Sequence, residues 1–238
     1  MKYIEVLYPE FSNLYADLKN IEYLEKCNKN IKVIYTHVSD EPYFINHKVD
    51  MIYMGSMSDS KIESCIKVLS VYKKQLKDLI DDNVLFLITG NALEVFSSYI
   101  EVNNKKIDGL NIFDYYIEKD MKKKHASWFI GKYEDIDMVG NRNQFGKCYN
   151  IKDEFIHKTG GYGIDLESDN EGIHYKNFYA TYLLGPLLIL NPLFTKYILN
   201  KLGLKEDLFM EEDAMMAYER RRDHFNKKGV RFDMGQYG

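Results

Sequence analysis

The sequence predicts an α/β fold: a central, mostly parallel sheet with helices on both faces and a β-rich extension in the second half. Three observations carry this. Short apolar strands alternate with helical stripes over the first hundred residues. Val84-Leu85-Phe86-Leu87-Ile88 is apolar without a break, the pattern of a strand buried on both faces. Beyond residue 108 the helical periodicity gives way to β-rich segments.

Lys2 to Tyr8 alternates as a strand. After Pro9, the segment Asn13 to Cys27 sets Leu14, Leu18, Ile21 and Leu24 at helical spacing, with Ser12 or Asn13 available as a cap. Ile31 to Thr36 is a second strand, and Met51 to Met54 a third, running into Gly55-Ser56-Met57-Ser58-Asp59. A long helix then carries Ile62, Cys65, Ile66, Leu69, Tyr72, Leu76 and Leu79 on one face. The buried strand ending at Ile88 stops at Thr89-Gly90-Asn91, and Ala92 to Phe96 resumes as helix. Strands connected in this way form a parallel sheet whose ligands bind at the carboxyl ends, at the Gly55 and Thr89 loops.

In the second half, Leu110 to Glu118, Trp128 to Tyr133, Ile173 to Tyr175 and Phe178 to Leu183 are strand-like, with Gly160-Gly161-Tyr162-Gly163 as a turn. They are expected to extend the same sheet with mixed polarity. Helices return at Leu193 to Leu202, after Asn191-Pro192, and from Leu208 to about Asn226, capped by Asp207. The expectation is one domain over 1–238, with 204–238 as a helical tail, because no linker or composition break divides the 238 residues.

Composition narrows the function. With 45% apolar and 29% charged residues and a formal net charge of −4, the chain is of ordinary globular type with no general attraction for nucleic acid. The basic runs Lys122-Lys123-Lys124 and Arg220-Arg221-Arg222 read as solvated faces, the latter also suiting a helix C-terminus. No signal peptide and no run of ~18 apolar residues is evident, so a cytoplasmic protein without a membrane span is expected. Cys27, Cys65 and Cys148 are odd in number and widely spaced, which argues against a disulfide framework and a zinc site.

A sharp turn between a buried parallel strand and a helix can hold a nucleophile out of the sheet, above backbone N–H groups that stabilise an oxyanion. Here Thr89 stands at that tip. Together with the Gly55 loop, the run Asn13-Leu14-Tyr15-Ala16-Asp17, the run Glu171-Gly172-Ile173-His174-Tyr175-Lys176-Asn177 and the run Thr181-Tyr182-Leu183-Leu184-Gly185-Pro186, this turn resembles a class I glutamine amidotransferase domain. The resemblance is to the CobB/CobQ-like branch, closest to the GatD-type glutaminase subunits of lipid II isoglutaminyl synthase. It runs in register from about residue 3 to about residue 203 and implies a flavodoxin-like fold.

In that family the elbow reads Cys-Gly-Gly and the general base lies in Tyr-Leu-His-Gly-Pro. The resemblance puts the Cys position on Thr89, the second Gly on Asn91 and the His position on Leu184. Neither half of the dyad is intact. A mid-chain threonine needs a base to attack an amide, and leucine is not one. Of the family's glycine-rich loop Gly55 remains, with Ser56 and Met57 in place of glycines. The family's Asn-His-Gly-Gly-Arg-Thr is matched by Asn143-Gln144-Phe145-Gly146-Lys147-Cys148, so Lys147 stands where a bidentate arginine would.

What the resemblance implies is a non-catalytic relative that binds or regulates a Mur-ligase-like partner of the MurT type in cell-wall precursor amidation, with no cofactor or metal. The alternative is an enzyme, either an active glutaminase using Thr89 or Cys148 or a different hydrolase using the same crevice. A third is a glutamine-like small ligand held in the crevice by backbone donors, with Gly55, Ser56, Gly90, Asn91 and Lys147 as candidates. Cys27 and Cys65 read as small buried hydrophobes, His174 as a satisfied strand histidine in preference to a displaced base, a role His157 could also be given, and Asp59 and Glu94 as caps or solvent-facing carboxylates in preference to a carboxylate pair.

Overall fold

The apolar run before Thr89 is the middle of the sheet. The computed structural model describes residues 1–234. Its first strands are β1 (Lys2–Leu7), β2 (Ile31–Thr36), β3 (Met51–Met54) and β4 (Leu85–Thr89), all mutually parallel in the spatial order β2-β1-β3-β4. Further along come β5 (Tyr99–Val102), β6 (Lys105–Asp108), β7 (Tyr116–Lys119), β8 (His125–Tyr133), β9 (Ile136–Gln144) and β10 (Gly146–Tyr149). The last strands are β11 (Glu154–Gly160), β12 (Asn170–Tyr175) and β13 (Phe178–Thr181). β13 lies parallel to β4, and β12, β11, β8 and β9 continue outward as an antiparallel half, giving nine strands in one sheet.

Alternation along β4 assigns its two faces. Phe86 and Ile88 point into a core with α2 (Asp59–Leu69) and α3 (Lys73–Asp81), through Ile62, Leu69 and Leu76. Leu85 and Leu87 point the other way, toward Ile21 and Leu24 of α1 (Lys19–Cys27) and toward α4 (Leu187–Leu190) and α5 (Pro192–Lys201). Both faces are therefore covered, which is why the strand carries no polar residue before its last position. A third, smaller cluster seats Tyr218 and Phe225 of α6 (Glu211–Phe225) on Ile130 and Val139. No helix among the described residues is long and apolar enough to cross a membrane.

Several expectations are corrected. The β-rich half divides: β5, β6, β7 and β10 form a separate four-stranded sheet, where Ile100 and Ile117 pack onto the α2 side. Residues 99–108, 136–149 and 154–160 are strands that the sequence left unassigned, because their charged and β-branched residues alternate too weakly to stand out. Leu110 to Tyr115 is not strand, although Leu110 and Tyr115 are buried. The first helix begins only at Lys19, since Tyr15 and Ala16 take left-handed backbone (φ 61° and 59°) and Leu14 is exposed. The long second helix breaks at a 3₁₀ turn over Ser70–Tyr72. The last helix starts at Glu211 after left-handed Met210, so Asp207 is not its cap. Beyond it the chain returns to β8, where Trp128 N–H donates to Phe232 O (2.8 Å) and Met234 N–H to Ala126 O (3.0 Å). Residues 235–238, part of the expected tail, lie outside the described residues.

Candidate functional site

At the carboxyl end of β4 the backbone turns, and the turn differs from the one expected. Thr89 keeps extended backbone (φ −116°, ψ 153°), which suits its branched Cβ, and the left-handed residue is Gly90 (φ 61°). A Cβ on Gly90 would meet Ser56 Cβ at 2.5 Å and Leu184 Cδ2 at 3.0 Å, so both backbone and space demand glycine. Gly90–Phe96 then winds as a tight 3₁₀ segment, buried throughout, in place of the expected α-helix.

The Thr89 side chain points inward. Its hydroxyl donates to Asp17 Oδ2 at 2.7 Å and lies 3.0 Å from the Tyr53 hydroxyl, which is itself 2.8 Å from the Asp17 carbonyl. Asn20 Nδ2 donates to the Tyr53 hydroxyl (3.0 Å) and to Asp17 O (2.9 Å), and its carbonyl accepts from Leu188 N–H (2.8 Å). Thr89, Asp17, Asn20 and Tyr53 all have zero solvent exposure. This network ties β3, β4, α1 and α4 together. Burial pushes the Asp17 carboxyl up to about 6, an effect opposed by hydrogen bonds from Ser56 N–H, Thr89 and Asn20.

Two backbone donors of the Gly55 loop are also taken. Ser56 N–H donates to Asp17 Oδ2 at 2.7 Å, and Met57 N–H to Asn91 Oδ1 at 2.9 Å. Asn91 Nδ2 returns a bond to Met57 O at 2.8 Å, a paired amide clamp between the two loops. Gly55 is held under Ser12 O, which would lie 2.5 Å from an added Cβ. Leu184 exchanges backbone bonds with Asn141 of β9, and its side chain closes over Gly90. Five cavities of about 240 to 520 Å³ open elsewhere on the surface, and none of the five is lined by Ser56, Thr89, Gly90 or Leu184.

Doubly wound folds hold their ligands at the carboxyl ends of central parallel strands, which in this chain is the β4 turn and the Gly55 loop. The chain is 34% identical over 192 residues to the GatD subunit of lipid II isoglutaminyl synthase (glutamine-hydrolyzing) from Staphylococcus aureus, with 79% of each chain covered. It belongs to the GatD family of glutamine amidotransferases. The Streptococcus pneumoniae subunit of the same name is 27% identical over 194 residues, covering 78% of this chain and 74% of that one. Among solved structures, a glutamine amidotransferase from Thermotoga maritima superposes with a TM-score of 0.53 at 8% identity, over 94% of this chain and 92% of its own. Another glutamine amidotransferase gives 0.56 at 9% identity, over 84% and 99%. These two speak for the fold alone. No family model matches the sequence.

Against this family background the candidate residues separate. Thr89, Gly55, Ser56, Gly90, Asn91 and Leu184 are brought together as one buried cluster. Lys147 is not part of it: it sits on β10 opposite Glu118 of β7, and no hydrogen bond or ion pair joins it to the turn among the described residues. Cys148 is buried beside it, its thiol pushed well up by burial and by the Glu94 and Glu171 carboxylates, the opposite of what a thiolate nucleophile requires. His174 is half-buried, stacks on Tyr179 (4.4 Å) and donates through Nε2 to Lys176 O at 2.7 Å, while His157 is exposed on β11.

The reading of Asp59 and Glu94 as caps or solvent-facing groups is corrected. Lys119 Nζ bridges them, 2.5 Å from Asp59 Oδ1 and in contact with fully buried Glu94 Oε2, while the Tyr182 hydroxyl donates to Glu94 Oε1 at 3.1 Å. A second buried pair, Arg142 and Glu171, lies 3.6 Å apart, with Arg142 Nη2 donating to Gly146 O and Ile164 O at 2.8 Å each. Sequence reasoning singled out neither Lys119, Arg142, Tyr53 nor Asn20. Asp17 stood in a run that carries the family resemblance, and Tyr53, a hydroxyl in a wholly buried strand, was a signal that a polar partner must exist.

Proposed function

We propose that this chain is a GatD-family subunit that no longer hydrolyses glutamine and acts in the cytoplasm as a binding or regulatory partner of a MurT-like Mur ligase in cell-wall precursor amidation. The observation that carries the reading is the orientation of Thr89. Amide hydrolysis needs a nucleophile open to the substrate, a base, and free N–H donors for the oxyanion. Here the hydroxyl is turned into the Asp17–Tyr53 network, the base position is a leucine packed on Gly90, and the N–H groups of Ser56 and Met57 are bonded to Asp17 and Asn91.

Asp17 does lie within 2.7 Å of the Thr89 hydroxyl, the minimal pairing of hydroxyl and carboxylate base. That pairing favours structure over chemistry, because no exposed surface reaches it: both residues have zero exposure. A subunit of this kind stabilises its ligase while free ammonia or another donor supplies nitrogen. The experiment is co-expression with the Mur-ligase-like subunit encoded in the same organism. Stable co-purification that survives Leu184→Ala is expected, and failure of the two chains to associate would overturn the partner assignment.

A further inference from the structure

α6 carries two unpartnered features that fit each other. Its inner face, Tyr218 and Phe225, is seated on the sheet. One flank carries Asp213, Ala217, Arg221 and His224, with Met210 just before the helix at matching spacing, and runs along two adjoining clefts, the first of which is also lined by Lys19, Glu22 and Lys26 of α1. The first, of about 520 Å³, is flanked by exposed Ile189, Phe209 and Met210; the second, of about 440 Å³, by exposed Trp128. Ala217 and Arg221 line both.

The charges on this helix are segregated. Glu211 is paired with Lys196 and Arg222 with Asp223, which leaves Glu212 and Asp213 at one end, and Glu219, Arg220 and Arg221 at the other, without an ion-pair partner among the described residues; of these, Asp213 and Arg221 line the clefts on one flank. Burial lowers the Arg221 guanidinium, and no carboxylate offsets it.

We infer that this face pairs with a second copy of the chain, α6 against α6, antiparallel about a two-fold axis at Ala217. The sequence numbers fit one axis. Asp213 and Arg221 are equidistant from Ala217, about 6 Å along the helix on either side, so each copy's Asp213 meets the other's Arg221. By the same symmetry, Met210 comes opposite His224 and enters the Trp128 cleft, reciprocally in both copies. Alanine at the axis lets the helices approach. A self-complementary patch of this kind is what a two-fold interface requires, and unlike charges at both ends set the antiparallel register.

Sedimentation equilibrium of the full chain tests this. A reversible dimer is expected at about ten to a hundred micromolar, weakened by salt. Arg221→Glu and Asp213→Arg should each raise the dimer dissociation constant at least about tenfold, and the combined reversal should recover it. Ala217→Arg should leave monomer. Circular dichroism should be unchanged in all, since none of these side chains belongs to a buried core cluster. A wild-type chain that stays monomeric at about a hundred micromolar, a dimer indifferent to Arg221→Glu, or a double reversal no better than the singles would each overturn the inference.

Discussion

Replacing Thr89 by valine keeps the shape of the side chain and removes only the hydroxyl, so no cavity term enters. At pH 8 the Asp17 carboxyl, with a folded-state value of about 6, is ionised, and the lost bond is a 2.7 Å charge-assisted one in a fully buried site. Its removal should cost about 1.5–3 kcal/mol. At pH 4.5 Asp17 is protonated in the folded state and the lost bond joins neutral groups, worth about 1 kcal/mol. The sign is fixed by linkage. Thr89 donates to the ionised form, so removing it pushes the folded-state carboxyl further up and enlarges the deficit as pH rises. Urea unfolding of wild type and Thr89→Val at the two pH values measures both numbers. A nucleophile held for catalysis would behave differently, since its removal leaves stability unchanged or improves it. A cost below about 0.5 kcal/mol at pH 8, or a larger cost at pH 4.5 than at pH 8, would show that the Thr89 hydroxyl does not stabilise an ionised Asp17.

Three further outcomes are expected. Asp17 is raised from 3.8 to about 6 by burial, so its contribution to stability is fully present below 3.8 and is lost as pH climbs through 6; Asp17→Asn should gain on wild type by about 2–3 kcal/mol between pH 4 and pH 7, followed by urea unfolding, and parallel curves would contradict it. Lys119→Met strands the buried Glu94 carboxylate and should cost about 3–5 kcal/mol, substantially recovered in the double variant with Glu94→Gln; a double variant as unstable as the single would count against the pairing. Cys65 and Cys148 are buried with raised thiols, so a disulfide exchange reagent at pH 8 should titrate no more than Cys27 in the folded protein and all three thiols in urea; rapid reaction of Cys148 would put its burial in doubt.

The parallel half of the fold is legible in the sequence because its central strands β3 and β4 are buried along their whole length and read as apolar runs, while β1 and the edge strand β2 still alternate clearly. The antiparallel half is less so. β9 and β11 carry Asn, Arg, Lys and His among their apolar residues, β5 and β6 form a short hairpin across Asn103-Asn104 rich in charge, and β7 and β10 join that sheet only through pairing at longer range. The site shows the same division. Thr89, Gly90, Asn91, Ser56 and Leu184 are foreseeable as neighbours, since strand ends converge. Which way Thr89 faces is not, because it depends on Asp17, Asn20 and Tyr53, contributed by other elements. The helix expected after the turn fails for a related reason: with Asn91 clamped to Met57 and Glu94 fixed by Lys119, the segment is tied at two points only three residues apart and winds as a tighter 3₁₀ turn.

We propose that the β4 turn serves structure and not chemistry. The most direct test is ammonia release from glutamine by the purified chain, alone and with its Mur-ligase-like partner, for wild type beside Thr89→Ala. No release above the background of Thr89→Ala is expected in either setting. Glutamine hydrolysis by the wild type that Thr89→Ala abolishes would contradict the account.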